Sequence, residues 1–145
     1  IAKSRNIKIV MSIHPRTQNK IDAMQVGFHE NIIQHKPFNF TDYCFLQKNA
    51  KAVLSDSGTI SEETSILGLR ALNLRENHER PEAMEVGTVM MTGYDSNRIL
   101  QGLSILEETN RPKPVYDYTF DNVSDTVLKI VLSHIDYIQK NVWKI

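Results

Sequence analysis

Short runs of apolar, largely β-branched residues alternate with segments long enough to be helices, and this alternation constrains the fold more than any other feature of the chain. The stretches "IKIVMSI" (residues 7–13), "NIIQHK" (31–36), "KAVLSD" (51–56), "RALNLR" (70–75) and "TVMMTG" (88–93) read as strands. Helices are predicted between and after them, over residues 17–26, 41–49, 60–67, 81–86 and 96–107. A helical crossover between successive strands is what a parallel ladder requires. The pattern therefore predicts an α/β fold: one Rossmann-like parallel sheet with helices on both faces.

Composition narrows the setting. With 145 residues, 41% of them hydrophobic and 23% charged, the chain has enough apolar material for one globular core. Its 17 basic and 17 acidic side chains cancel. That balance lacks the one-signed field of a nucleic-acid-binding domain, so nucleic acid is not an expected partner. Cys44 is the single cysteine, which excludes an internal disulfide, and no apolar run approaches the roughly 20 residues that span a bilayer. A cytoplasmic setting without membrane attachment is expected. The chain opens on Ile1 with neither an initiator Met nor a signal-peptide pattern, and reads as a piece of something longer. Residues 108–120 have linker character, and beyond them Val127, Val131, Ile135, Ile138 and Val142 recur at helical spacing. A long final helix with a broad apolar face is predicted there.

Ligands of open parallel sheets sit beyond the carboxyl ends of the strands. Four loops there stand out: "HPRT", "HKPFNFTDY", "SDSGTISEE" and "RENHERPE". In the third, Ser57, Gly58 and Thr59 lie where a strand turns into a helix. A glycine there lets the backbone approach a ligand, and the helix start offers free N–H donors, which suits a phosphate. Thr59-Ile-Ser-Glu62 also matches a capping box, which accounts for Glu62 structurally. Glu63 lies about 100° further round the helix and needs another explanation. A carboxylate one turn from a phosphate site can hold a ribose diol through two hydrogen bonds. On spacing alone, an ordinary capped helix is the more economical reading.

The second loop holds Phe38, Phe40, Tyr43 and Phe45, and a flat base needs such a surface. Phe40 and Phe45 are expected in the core, and Tyr43, near a helix start, is the better candidate to face a base. In the fourth loop, Pro81 suits the first turn of a short helix and leaves Arg80 at its mouth, where a guanidinium can grip phosphate or sugar oxygens. His78 reads as a polar loop residue.

"PFNFTDY", "LSDSGTISEE" and "NHERPEAMEVGTVMMTG", with the spacing between them, resemble the C-terminal domain of the non-hydrolysing UDP-N-acetylglucosamine 2-epimerases over residues 14–106. The variants "SGTISEE" and "HERPE" and the C-terminal tail look most like the branch that makes UDP-N-acetyl-L-fucosamine for surface polysaccharides. The resemblance implies the incomplete C-terminal half of a two-domain GT-B fold. Residues 1–120 would form the nucleotide-binding domain without its first strand, and residues 121–145 a helix crossing back to an absent N-terminal domain.

It also implies roles for residues. Ser57, Gly58 and Thr59 would bind a diphosphate, Glu63 the ribose and Arg80 the nucleotide sugar, while Phe38, through its backbone, and Tyr43 would form the uracil site. His14 matches a position near a histidine of a second, regulatory nucleotide site in some bacterial members; anchoring its own loop explains it equally well. The family reaction inverts C2 of a UDP-2-acetamido sugar by removing the C2 proton, eliminating UDP to a glycal and re-adding it from the other face. It requires no cofactor, metal or nicotinamide. Its carboxylates come from the N-terminal domain and a His-Arg motif from the first strand of the C-terminal one, so no catalytic group is expected in this chain, and the complete enzyme is expected to be a homodimer. Two other classes fit the same residues. One is a glycosyltransferase of the same architecture, which "HERPE" disfavours, and the other is a noncatalytic doubly wound module whose Ser-Gly loop is only a tight turn.

Overall fold

The computed structural model describes all of residues 1–145. A single helical turn, α1 (Ala2–Arg5), precedes β1 (Ile9–Ser12), α2 (Pro15–Met24), β2 (Ile32–His35), α3 (Phe40–Asn49), β3 (Val53–Ser55), α4 (Ile60–Leu67), β4 (Ala71–Asn73), α5 (Pro81–Glu85), β5 (Met90–Met91) and α6 (Ser96–Glu108). A 3-10 turn at Tyr116–Tyr118 leads to α7 (Val123–Ile138), which runs on into a π-helical turn at Gln139–Trp143. Every strand and helix expected from the alternation is present, with the strands shorter at both ends.

All strand pairs are parallel, but the expected single sheet is divided. β1 pairs with β2, with Ile9 opposite Ile32, while β3, β4 and β5 form a separate ladder in that order. The interruption separates the β1–β2 pair from the β3–β5 ladder. Strand content was legible from the residues, whereas pairing depends on which strands lie side by side.

The core belongs to the three-stranded ladder. β4 is buried along its whole length because consecutive residues serve opposite faces. Ala71 joins Ile60 of α4, Ala83 of α5, Val89 and Val115 on one side; Leu72 joins Ile99, Leu103 and Leu106 of α6 on the other. The expected cover on both faces is thus realised here. Gly102 permits it on the α6 side, since a Cβ there would lie 3.0 Å from Leu72 Cδ2 and 3.1 Å from Thr92 Cγ2. The linker segment is tied onto α4 by the Val115 N–H, which donates to Ser65 Oγ at 2.8 Å. Arg5 binds α1 to α6 through Glu107 at 2.6 Å and Ser104 Oγ at 2.7 Å.

The remainder is thinly covered. Helix α2 buries none of its residues, and Val10 and Ile33 of the β1–β2 pair are exposed. Phe40 and Phe45, expected in the core, lie on the outer face of α3 at 82% and 67% exposure. The face of α3 that turns inward carries Tyr43 and Gln47 instead. No residue of α7 or of the π-helical turn after it is buried: Val127, Val131 and Val142 are each more than half exposed, as are Leu128, Ile130 and Leu132 away from the expected stripe. No helix is long and apolar enough to cross a membrane. Such a helix needs partners on more than one side. Open strand edges and bare apolar helix surface both favour association. The purified 145-residue chain is therefore expected to scatter light as a species heavier than its 16.7 kDa monomer. Truncation after residue 120 should reduce that association while leaving the melting transition of the β3–β5 core nearly unchanged. A monodisperse monomer with a cooperative melt would contradict the expectation.

Candidate functional site

The loop from β3 into α4 is held by its own hydroxyls. Ser55 Oγ accepts from the Ser57 N–H at 3.1 Å, and Ser57 Oγ lies 2.9 Å from Thr59 Oγ1 and accepts from the Thr59 N–H at 3.3 Å. The expected capping box does not form. The Thr59 side chain makes no cap bond to α4 and instead donates to Glu63 Oε1 at 2.7 Å. Glu62 turns away from the helix start and accepts from Arg80 Nε at 2.6 Å. A guanidinium makes a stronger, charge-assisted partner than a backbone amide. Nothing in the local spacing revealed that partner, because it lies 18 residues further along the chain.

Two arginines converge over Gly58. A Cβ on this glycine would lie 3.4 Å from Arg80 Nη1 and 3.6 Å from Arg75 Nη1, in ordinary contact with both, so the two guanidiniums rest directly on the glycine. Glu79 bridges the pair, accepting from Arg75 Nη2 at 3.2 Å and Arg80 Nη1 at 3.4 Å. The hydrogen bond from Arg80 to Glu62, followed by that carboxylate's charge, holds Arg80 still more firmly protonated. Pro81 opens α5 as anticipated and leaves Arg80 at its N-cap. The last acid of the motif, Glu82, accepts from the Tyr118 hydroxyl at 2.6 Å. That bond, first among the causes, keeps the Glu82 carboxyl below the ordinary carboxylate value. Burial, and next the bond to Glu82, push the Tyr118 phenol well above the usual tyrosine value. Tyr118→Phe should raise the Glu82 carboxyl toward the ordinary carboxylate value in a side-chain carboxyl NMR titration. A Glu82 titration unchanged by the substitution would mean that the bond to Tyr118 does not persist in solution.

Glu63 is the meeting point of α3 and α4. One oxygen takes the Thr59 hydroxyl, and the other accepts from Gln47 Nε2 in a short hydrogen bond. Tyr43, one turn before Gln47 on the same face of α3, is raised above the ordinary phenol value by burial first and then by the Glu63 charge.

Of the residues singled out from the sequence, Ser57, Thr59 and Glu63 form one hydrogen-bonded chain, the Glu63 charge reaches the Tyr43 phenol, and Gly58 lies beneath Arg80. Phe38 stands apart from this chain and stacks on His35, with ring centroids 4.0 Å apart and planes 2° from parallel. His14 caps α2, its Nδ1 accepting from the Arg16 N–H at 3.2 Å, and has no hydrogen bond to the other candidates. His78 is an exposed loop residue, as expected. Sequence reasoning passed over Gln47, Arg75, Glu79 and Tyr118. The i, i+4 relation of Gln47 to Tyr43 was the one signal available. Arg75 and Glu79 are also four residues apart, but outside any helix, and Tyr118 meets Glu82 only through the fold.

A parallel α/β domain with hydroxyl, carboxylate and guanidinium groups gathered beyond the ends of β3 and β4 belongs to the class that binds ligands at the strand ends. The family model described as UDP-N-acetylglucosamine 2-epimerase matches residues 1–132, and the chain belongs to that family. It is 35% identical over 112 residues to the Salmonella typhimurium UDP-N-acetylglucosamine 2-epimerase, covering 75% of this chain and 30% of that protein. The corresponding figures for the Methanocaldococcus jannaschii enzyme are 33% over 109 residues, 71% and 29%. Among solved structures, the Rickettsia bellii UDP-N-acetylglucosamine 2-epimerase superposes with a TM-score of 0.79 at 43% identity, covering 98% of this chain and 40% of that one. The M. jannaschii enzyme in complex with UDP-GlcNAc and UDP gives 0.78 at 26% identity, with 91% and 37% covered. The chain thus spans about three tenths of the length of the curated relatives it matches.

Proposed function

We propose that this chain is the UDP-binding part of a UDP-2-acetamido-sugar 2-epimerase, acting in precursor synthesis for a surface polysaccharide. The observation that carries the reading is the Glu63 carboxylate. It is oriented by Thr59 and Gln47 beside the Tyr43 ring and lies on the helix whose preceding glycine sits under Arg80. In this reading a diphosphate lies along Ser57, Gly58 and Thr59 with the arginines above it, Glu63 takes the ribose hydroxyls, and the Phe38–Tyr43 segment receives the uracil. His14, which caps α2, is left outside this site. Residues 1–120 are the C-terminal domain of a GT-B enzyme that works as a homodimer, and residues 121–145 cross back to its N-terminal domain. The bare surface of α7 and the break between the β1–β2 pair and the β3–β5 ladder both support that placement. Within the family, the form of "SGTISEE" and "HERPE" favours the branch that makes UDP-N-acetyl-L-fucosamine.

The chemistry then divides between the two domains. A base of the other domain takes the C2 proton while the C1–O bond breaks, and UDP departs with the bonding pair. UDP re-adds at C1 of the glycal as a proton reaches C2 from the opposite face. The groups of this chain hold the departing diphosphate throughout, stabilising the negative charge that grows on it.

In the complete protein, UDP-N-acetylglucosamine or its dideoxy analogue incubated in D2O should gain deuterium at C2 and release traces of UDP. Arg80→Lys should lower turnover sharply, because a point charge cannot span Glu62 and a phosphate as the planar fork does. Full exchange with no dependence on Arg80 would leave that arginine a purely structural role, and absence of exchange with every 2-acetamido sugar tested would sink the proposed reaction.

A further inference from the structure

Gln47 is 4% exposed, and it is the only buried residue of α3. Its Nε2 donates to Glu63, while its Oε1 is shut off from solvent with no hydrogen-bond partner. An aliphatic side chain would fill the same volume without leaving a buried acceptor unsatisfied, so packing does not account for a glutamine here. What the amide supplies is a donor to one oxygen of Glu63, matching the Thr59 hydroxyl on the other. A carboxylate has about four lone-pair sites. With one donor on each oxygen it is fixed in rotation and keeps acceptor capacity on both oxygens, the arrangement that two adjacent hydroxyls require. With Thr59 alone, one oxygen would be pinned and the other left to swing.

We infer that Gln47 is a positioning residue that fixes Glu63 as a two-point acceptor for a cis-diol, and thereby makes the site selective for ribonucleotides over 2′-deoxyribonucleotides. This rests on the proposed nucleotide site.

The test measures affinity for UDP and for 2′-deoxy-UDP by calorimetry on the complete protein, with Gln47→Met and Gln47→Leu as variants that keep the bulk and remove the donor, each checked for an unchanged melt. The native protein should prefer UDP by roughly tenfold or more, the effect of one hydrogen bond to a charged acceptor. In whichever variant is folded, 2′-deoxy-UDP should bind nearly as before while UDP weakens, narrowing the preference to about threefold or less. In a Glu63→Gln background, Gln47→Met should produce no further change in the preference, because both substitutions act through the same carboxylate. A purely structural glutamine would not be silenced in this way. Retention of the full preference by the folded variants, or an equal effect in the Glu63→Gln background, overturns the inference and leaves the nucleotide site standing. Failure of the native protein to bind UDP removes the nucleotide site, and this inference with it.

Discussion

Replacement of Glu63 by Gln in the complete protein is expected to weaken UDP binding by roughly 1–3 kcal/mol, the range for a hydrogen bond to a charged group. The substituted amide is nearly isosteric, and the Thr59 hydroxyl that now donates to Glu63 at 2.7 Å can rotate to accept an amide N–H instead. The protein should therefore fold and melt much as before. The site, however, would offer one neutral acceptor and one donor in place of two acceptors and a negative charge, and two ribose hydroxyls cannot both donate to it. The proposed contacts of the Gly58 loop and the arginines to the diphosphate would be unaffected, so binding should weaken and not vanish. Calorimetric titration of UDP checks this, and an affinity equal to that of the native protein would remove Glu63 from the site.

The 145-residue chain purified by itself should show no C2 epimerisation and no entry of solvent deuterium at C2. Acid–base catalysis contributes about two to four powers of ten for each positioned group, and an epimerisation through a glycal needs one such group on each face of the sugar. Around Glu63 and Arg80 the available groups are already committed to one another. Glu62 is bound to Arg80, Glu79 to both arginines and Glu82 to Tyr118. The Tyr43 and Tyr118 phenols are both shifted away from the range in which they would exchange protons near neutrality. The cluster is built to hold charge in place. Proton NMR of UDP-N-acetylglucosamine in D2O with rigorously purified chain is the measurement. Measurable exchange would place the acid and base in this chain and overturn the division of labour proposed between the two domains.

The alternation of apolar runs with helical segments was sufficient to place the five strands and α2–α7, though not α1 or the 3-10 turn, because strand and helix each bury one side of a repeating backbone and so leave a period in the sequence. Helix α4 was read to the residue, Ile60–Leu67, since a polar loop precedes it and Gly68 follows. The parallel, doubly covered ladder around β4 was legible for the same reason. Ser57, Gly58, Thr59, Glu63 and Arg80 could be singled out because a strand-to-helix turn with small polar residues, and a proline opening a short helix, are local arrangements. Family membership was carried by those same residues.

What the chain order could not disclose is which groups meet. Glu62 satisfied a local rule for capping its own helix and was claimed instead by Arg80. A bond across 18 residues of chain leaves no trace in spacing. Phe40 and Phe45 looked like core residues on hydropathy but face outward, because the inward side of α3 is turned toward Glu63 and carries Tyr43 and a buried glutamine. The sheet is divided into a β1–β2 pair and a β3–β5 ladder although each strand is correctly present, since pairing depends on neighbours in space. By itself, then, the sequence determined the elements, their parallel character and the chemical identity of the loop residues, all of which follow from local periodicity and backbone preference. Only the tertiary structure decided that Arg80 takes Glu62, that Gln47 holds the second oxygen of Glu63, and that α7 stays bare, because each of these depends on distances between residues far apart in the chain.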